Sequence, residues 1–326
     1  MGKFKVIVSD KRHDDYSIEK KILKECDAEL TVLNCKDPED MINNCKDADG
    51  ILLDMASMNG KVIKELKNCK VISRYGVGYE NVDIESCTGK GIYVTNVPDY
   101  CADDVSDMAL SLLFACQRQI ALRDREVRNG KWNMNFPHTY RIKNKILSII
   151  GFGKISRALI KKVSGFELKS ILVNDPYVSE MEINSSGAKK VSFEEALKQG
   201  DYISLHLPVN NETKGIVNER AFSLMKPSAI LINTSRGQIV NEKALLGALK
   251  KKIIAYAGLD THSKEPIPMN SEFFKLDNCV LTDHTGYNTK ESIIELKTKA
   301  ALNIKAVLEG NKPLYPVNKI ENSQTW

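Results

Sequence analysis

Twice along this chain, short apolar runs of four to six residues alternate with polar stretches of helical spacing. That alternation restricts the fold more than any other feature. An apolar run with no polar face must be buried on both sides, and strands alternating with helices give a parallel sheet covered by helices on both faces. In the first hundred residues the predicted strands are Lys5–Ser9, Ala28–Leu33, Gly50–Leu53, Val71–Arg74 and Ile92–Thr95. Ser17–Glu25, Pro38–Cys45 and Val62–Asn68 are the helices between them. Asn96-Val97-Pro98-Asp99 interrupts the pattern, because the residue before proline is driven out of helical geometry. One long helix is predicted from Asp103 to Asn129, with Val105, Met108, Ala109, Leu112, Leu113, Cys116 and Ile120 on its apolar face. A looser aromatic segment follows, Trp132 to Tyr140.

The second alternation starts at Ile146–Ile150 and continues through Ser170–Asn174, Tyr202–Leu207, Ile230–Asn233, Ala255–Leu259 and Cys279–Thr282. A helix is expected over Arg157–Val163, and a last one over Lys290–Leu308. The fold class is therefore α/β, two doubly wound parallel-sheet units in a chain of 326 residues.

Composition narrows the function by exclusion. A net charge of +5 is dispersed along the chain, too diffuse for a nucleic-acid surface. The eight cysteines form no C-x-x-C pair and no Cys/His ligand cluster, so no metal is expected and free thiols are. With Phe4–Val8 already a strand, no secretory segment is read ahead of it. Met1-Gly2 is not a myristoylation start, since Val6 stands where Ser or Thr is required. No apolar run approaches the ~18 residues of a membrane span. A cytoplasmic protein is the expectation.

The chemistry lies at strand ends. After Ile146–Ile150 comes Gly151-Phe152-Gly153-Lys154-Ile155-Ser156. The first glycine permits a tight turn. The second allows backbone amides at a helix N-terminus to approach a pyrophosphate. Ser156 replaces the third glycine of the dinucleotide fingerprint, a packing position where a small side chain is tolerated. Asp175, at the end of the next strand, is placed to accept ribose hydroxyls and to repel the extra phosphate of NADP. Its bland alternative is a turn residue before Pro176.

Farther on, Arg236 follows Ile230–Asn233, Glu265 follows Ala255–Leu259, and His284 follows Cys279–Thr282. Reduction of a 2-keto acid needs a cation for the substrate carboxylate and carbonyl. It also needs a proton donor for the new alkoxide, and a carboxylate to orient that donor. Singly, each residue reads as a surface ion pair or a loop residue; at one sheet edge they read as a site. His206, in Leu205-His206-Leu207-Pro208, is expected to line the cofactor cleft without titrating in the reaction. His13, His138 and His262 read as loop residues.

With these phrases in view, the chain resembles the D-isomer-specific 2-hydroxyacid dehydrogenases from about Gly50 to Pro316. The resemblance includes Arg74-Tyr75-Gly76-Val77-Gly78-Tyr79-Glu80-Asn81-Val82-Asp83, similar to the family's substrate-carboxylate loop. It implies that Arg74, Tyr75 and the amides of Val77 and Gly78 bind substrate. Arg236 would bind and polarise the substrate, Glu265 would pair with the imidazole, and His284 would donate the proton. NAD would be held by Gly151, Gly153, Lys154, Ile155, Asp175, His206, Pro208, Thr213, Thr234, Ser235, Arg236, Asp260 and His284, with Asp260 on the nicotinamide amide. The implied substrate domain is residues 1–97 with 289–326. The implied Rossmann NAD domain, 98–288, is inserted into that flavodoxin-like domain, and closure would be a hinge motion. Helix 103–129 and the Trp132 segment resemble the dimerisation region, which implies a homodimer.

Asn96–Cys101 and His284–Ser292 are most similar to the branch of C-terminal-binding and phosphoglycerate-dehydrogenase-like proteins. Departures from it are Ser156, Asp283 in place of a proline before the imidazole, and no basic residue in Met55-Ala56-Ser57-Met58. The regulatory domain of longer phosphoglycerate dehydrogenases is also lacking. A phosphorylated substrate is accordingly disfavoured. The rival function is an NAD(H)-sensing corepressor-like scaffold with vestigial activity. Phosphite oxidation ranks below both, because the Arg74–Asp83 loop lacks an added lysine.

Overall fold

A computed structural model describes residues 3–135 and 139–320. The predicted His138 therefore falls outside the described residues, as do the ends of the chain. Two compact units are present. One takes the residues up to Tyr100 together with those from Thr289 onward; the other is Cys101–Asn288.

In the first unit, strands β1 (Phe4–Val8), β2 (Ala28–Val32), β3 (Gly50–Leu53), β4 (Val71–Arg74) and β5 (Tyr93–Thr95) alternate with helices α1 (Ser17–Lys24), α2 (Pro38–Cys45), α3 (Gly60–Glu65) and α4 (Ile84–Gly89). The strands are all parallel, in the order β2-β1-β3-β4-β5. The helices start where their sequences say they should. Asp37 accepts from the amides of Glu39 and Asp40 with Pro38 in the first turn, Asn59 from Lys61 and Val62, and Asp83 from Ser86. Helix α4 was not foreseen, since Ile84 and Cys87 are its only apolar residues and mark no periodic face.

The second unit opens with α5 (Ala102–Gln117) and α6 (Ile120–Arg128). The single helix predicted over 103–129 is thus two. Through Cys116 the apolar stripe is buried; α6 buries no residue at all, so nothing continues the stripe that held α5 in place. The chain breaks at Gln119, whose φ of 56° is left-handed.

Strands β6 (Ile146–Ile150), β7 (Ser170–Asn174), β8 (Lys189–Lys190), β9 (Tyr202–Leu205), β10 (Ile230–Asn233), β11 (Tyr256–Leu259) and β12 (Cys279–Leu281) follow, with helices α7 (Lys154–Lys162), α8 (Glu180–Asn184), α9 (Phe193–Gln199), α10 (Glu219–Leu224) and α11 (Glu242–Lys250). They form one parallel sheet in the order β12-β11-β10-β9-β6-β7-β8. Both faces are packed, as the continuous apolar runs require. Leu147 and Ile149 of β6 join Leu112, Leu113 and Cys116 of α5 on one face, while Ile146 and Ile150 join Ile203, Leu231 and Phe222 on the other.

Helix α12 (Lys290–Leu308) returns to the first unit. It buries Leu296, Ala300, Ala301 and Ile304, and the carbonyl of Ala300 accepts the Ser73 hydroxyl of β4 at 3.0 Å. The α/β class with two doubly wound parallel sheets is the fold observed.

Candidate active site

Parallel strands end on a common edge, and the seven-stranded sheet reverses its order beside β6, with β7 on one side and β9 on the other. The crevice at such a switch point is where open α/β sheets take ligands. Gly151 turns there with a φ of 94°, and a Cβ on it would lie 2.4 Å from the His206 carbonyl oxygen of β9's exit. No other residue fits. Gly153 differs: its φ is ordinary and a Cβ would meet nothing within 4 Å. The open space over Gly153 is reserved by the glycine and not needed by the protein.

Helix α7 begins immediately after it, at Lys154, three residues earlier than the predicted Arg157. Its first turn has no side-chain cap. The amides of a helix start, an open approach and a local positive dipole suit a pyrophosphate. Ser156 explains how the chain dispenses with the third glycine. It is fully buried and donates to the Gly151 carbonyl at 2.8 Å, fastening the turn from inside.

Asp175 does more locally than predicted. One carboxylate oxygen accepts from the Phe152 amide at 2.8 Å, the other from Tyr177 and Val178 at 2.9 and 3.2 Å. It joins the ends of β6 and β7 as well as facing their common edge. Thr213 closes its own turn, donating to the Pro208 carbonyl at 2.6 Å. Three polar atoms on neighbouring strand exits are buried without a hydrogen-bond partner among the described residues: His206 Nδ1, Thr234 Oγ1 and Thr261 Oγ1. Native proteins leave few such atoms, so a polar ligand along this edge fits them. Burial pushes the His206 imidazole down to about 4, so it is neutral at physiological pH, its Nε2 sharing a hydrogen bond of 2.8 Å with the Ser204 hydroxyl.

Arg236, Glu265 and His284 follow β10, β11 and β12, which are adjacent in the sheet. The Arg236 loop is built by Asn233, whose Nδ2 donates to the Arg236 carbonyl and whose Oδ1 accepts from the Ser235 amide. Ser235 also donates to the Leu205 carbonyl at 2.8 Å. Glu265 Oε1 accepts the His262 amide at 2.8 Å, and Oε2 lies 2.8 Å from His284 Nδ1. A carboxylate only accepts, so Nδ1 carries the hydrogen, and His284 Nε2 is left for a ligand. Burial works to raise the Glu265 carboxyl. The His284 hydrogen bond and the His262 amide outweigh it, and Glu265 sits below its ordinary value.

His284 has a φ of 58°, left-handed geometry that a histidine holds only when its surroundings enforce it. Asp260 enforces it. This buried carboxylate accepts from the Thr282 hydroxyl at 2.6 Å, the Thr285 amide at 3.1 Å and the Gly286 amide at 2.9 Å. Both its oxygens are engaged in shaping the His284 loop, in addition to the nicotinamide contact expected of it from the sequence. His262, read as a loop residue, is buried and donates from Nε2 to the Thr282 carbonyl at 2.8 Å, tying the exits of β11 and β12. No sequence signal separates it from an ordinary loop histidine.

In the first unit, Tyr75 of the loop after β4 is buried, and its hydroxyl donates to Glu19 Oε1 at 2.9 Å, so its side chain packs in the core. Arg74 folds back to donate to the Tyr75 carbonyl, occupying the space a Cβ of Gly76 would need. Asn96 Nδ2 donates to the Val77 carbonyl at 2.7 Å, and the Val97 amide to that of Gly76. Among the described residues no group of three or more candidate metal ligands occurs, and no helix is long and apolar enough to cross a membrane.

Residues 110–286 match the family model described as D-isomer specific 2-hydroxyacid dehydrogenase, NAD binding domain. The glyoxylate reductase of Thermococcus litoralis is 44% identical over 270 residues, 79% of this chain and 81% of that one. Among solved structures, the TT0316 protein of Thermus thermophilus matches with a TM-score of 0.88 at 28% identity, over 96% of this chain and all of that one. D-lactate dehydrogenase with NAD+ from Lactobacillus jensenii matches with a TM-score of 0.80 at 27% identity, over 97% and 100%.

Proposed function

Because the chain belongs to the D-isomer-specific 2-hydroxyacid dehydrogenases, we propose that it reduces a small 2-keto acid to the D-2-hydroxy acid, with Arg236, Glu265 and His284 as the reacting apparatus. Membership makes it an NAD-binding oxidoreductase. The observation that carries the finer reading is the 2.8 Å contact of His284 Nδ1 with Glu265.

NADH, when bound, supplies the hydride. The residues that would hold it are the amides at the start of α7 beyond Gly151 and Gly153, with Lys154 and Ile155, and Asp175 for the ribose. His206, Pro208, Thr213, Thr234, Ser235 and Asp260 would line the remainder. The cationic guanidinium of Arg236 draws electron density from the substrate carbonyl oxygen while holding the carboxylate. His284 passes a proton from Nε2 to the developing alkoxide, and Glu265 stabilises the imidazolium through Nδ1 before that transfer. In the first unit, the amides of Val77 and Gly78 are the candidates for gripping a carboxylate; Asn96 holds their loop.

Glyoxylate heads the substrates to test, since the Thermococcus relative is named for it. NADH consumption is followed with glyoxylate, pyruvate, hydroxypyruvate, phosphohydroxypyruvate and bulkier 2-keto acids. Turnover of one of them to a D-configured product is expected. Silence across the panel with NADH bound would favour the sensing scaffold. Asp175→Ala should lower the preference for NADH over NADPH; an unchanged ratio would remove Asp175 from the ribose. A homodimer is part of the proposal, supported by the exposed Ile120, Val127, Trp132 and Met134 in and after α6. Light scattering on the purified chain tests it.

A further inference from the structure

The amino edge of the same sheet, where the strands begin, holds a small pocket of about 70 Å3 that opens to solvent. Three polar side chains line it with an atom that is buried and has no hydrogen-bond partner among the described residues: Gln117 Oε1, Gln119 Oε1 and the Tyr202 hydroxyl. Each of these residues is more than nine-tenths buried. We propose that this pocket is a second binding site, taking a small, flat, neutral molecule that presents N–H donors beside a carbonyl acceptor: a carboxamide or a nucleobase.

The donor set leads to that class. Gln117 is oriented by its Nε2, which donates to the Tyr140 carbonyl at 2.7 Å, so Oε1 is the atom left over. It and Gln119 Oε1 are amide carbonyl oxygens and can only accept. They call for N–H donors. Of the three unmatched atoms, the Tyr202 hydroxyl oxygen alone can also donate. Burial, then the neighbouring Asp201 charge, push its hydroxyl up to about 12, so the proton stays in place. Leaving such atoms buried and unmatched is unfavourable, and a ligand that pairs all of them removes that penalty.

Charge within the pocket is already balanced. Asp201 takes Lys226 at 3.0 Å and the Ile146 amide at 2.9 Å. Lys145 lies over the Tyr140 ring at 4.6 Å and 4.0 Å from Asp201. An anion would face two carbonyl oxygens, and the flanking Ile230 and Tyr256 give a flat apolar body something to pack against, which a bare cation lacks. Gln119 is in the pocket because the helix breaks there: its left-handed φ sets the α5–α6 corner and turns the residue inward.

The test uses thermal unfolding of the full chain with NADH present throughout. Benzamide and uracil are the probes, and N,N-dimethylbenzamide is the matched control without N–H groups. A saturable rise in Tm with benzamide or uracil is expected, with none from the control. Tyr202→Phe and Gln119→Asn should each abolish the rise while leaving the shift due to NADH unchanged. The asparagine tolerates the left-handed backbone and withdraws the amide from the pocket, so it decides the matter should the phenylalanine variant fail to fold. No rise with either probe, a rise that survives the variants, or an equal rise with the control overturns the proposal. None of these readings depends on whether a keto acid is turned over.

Discussion

The carboxyl and amino edges of the seven-stranded sheet are made by the same strands, yet they differ in what they leave strained or unmatched. At the amino edge, side chains fasten backbone to backbone. Asp201 holds the Ile146 amide and Lys226, and Asn278 Nδ2 donates to the carbonyls of Leu249 and Ala255. At the carboxyl edge, His206, Thr234 and Thr261 keep a buried polar atom unmatched, and His284 stands in a left-handed conformation. Side chains such as Asp175 and His262 tie the carboxyl edge too, but there the ties stand beside strain and unmatched polar atoms, as expected where residues must be ready for a ligand that comes and goes. The pocket at Gln117, Gln119 and Tyr202 is the place on the amino edge that breaks this rule, and the exception marks it as a site.

Substitutions can break the contrast. His284→Ala should have the largest effect, lowering kcat about a hundred- to ten-thousand-fold. NADH affinity, followed by fluorescence, should stay near the wild-type value; its loss would mean that the imidazole serves the cofactor and not the proton. Asp260→Asn places an amide N–H2 against donors that now meet a carboxylate. It should destabilise the chain by about 1–3 kcal/mol and reduce kcat through the misplaced loop. Equal loss of kcat in the Asp260 and His284 single variants and in the double variant would show that they act as one unit.

At the opposite edge, Asp201→Asn weakens the tie to Lys226 and should cost about 1 kcal/mol with kcat/KM unchanged. A fall in kcat/KM would show that the edges are not separable. A further effect concerns pH. His206 titrates near 4 when folded and near its ordinary 6.5 when unfolded, so on acidification the unfolded chain takes the proton first. Stability from this group is complete above 6.5 and is lost as pH falls through 6.5 towards 4. A Tm series over that window should be flatter for His206→Asn than for wild type; equal slopes would sink the assignment.

Much of this architecture was readable beforehand, because strands buried on two faces leave unbroken apolar runs. Gly50–Leu53, Ile146–Ile150 and Ile230–Asn233 have the predicted ends. The order of residues at strand ends was readable for the same reason. What escaped depends on contacts between distant residues. The helix break at Gln119 follows from the end of a buried stripe. Tyr75 turns inward because Glu19, fifty-six positions away, accepts its hydroxyl. Asp260 is engaged by a loop twenty-five residues on, and a sequence motif records the carboxylate without its partners.

The sequence β10, β11, β12 is the order in the chain and also the order across the sheet. Cation, carboxylate and imidazole therefore come from one continuous stretch, Arg236 to His284, at the tail of the second unit. Strands β10 to β12 complete the sheet that β6 begins, and a domain generally folds as a unit. On the ribosome the glycine turn is made long before them, yet it has no finished sheet to stand on until β12 has emerged. The crevice and the three side chains are therefore completed together, and a chain that stops short of β12 would be expected to hold neither.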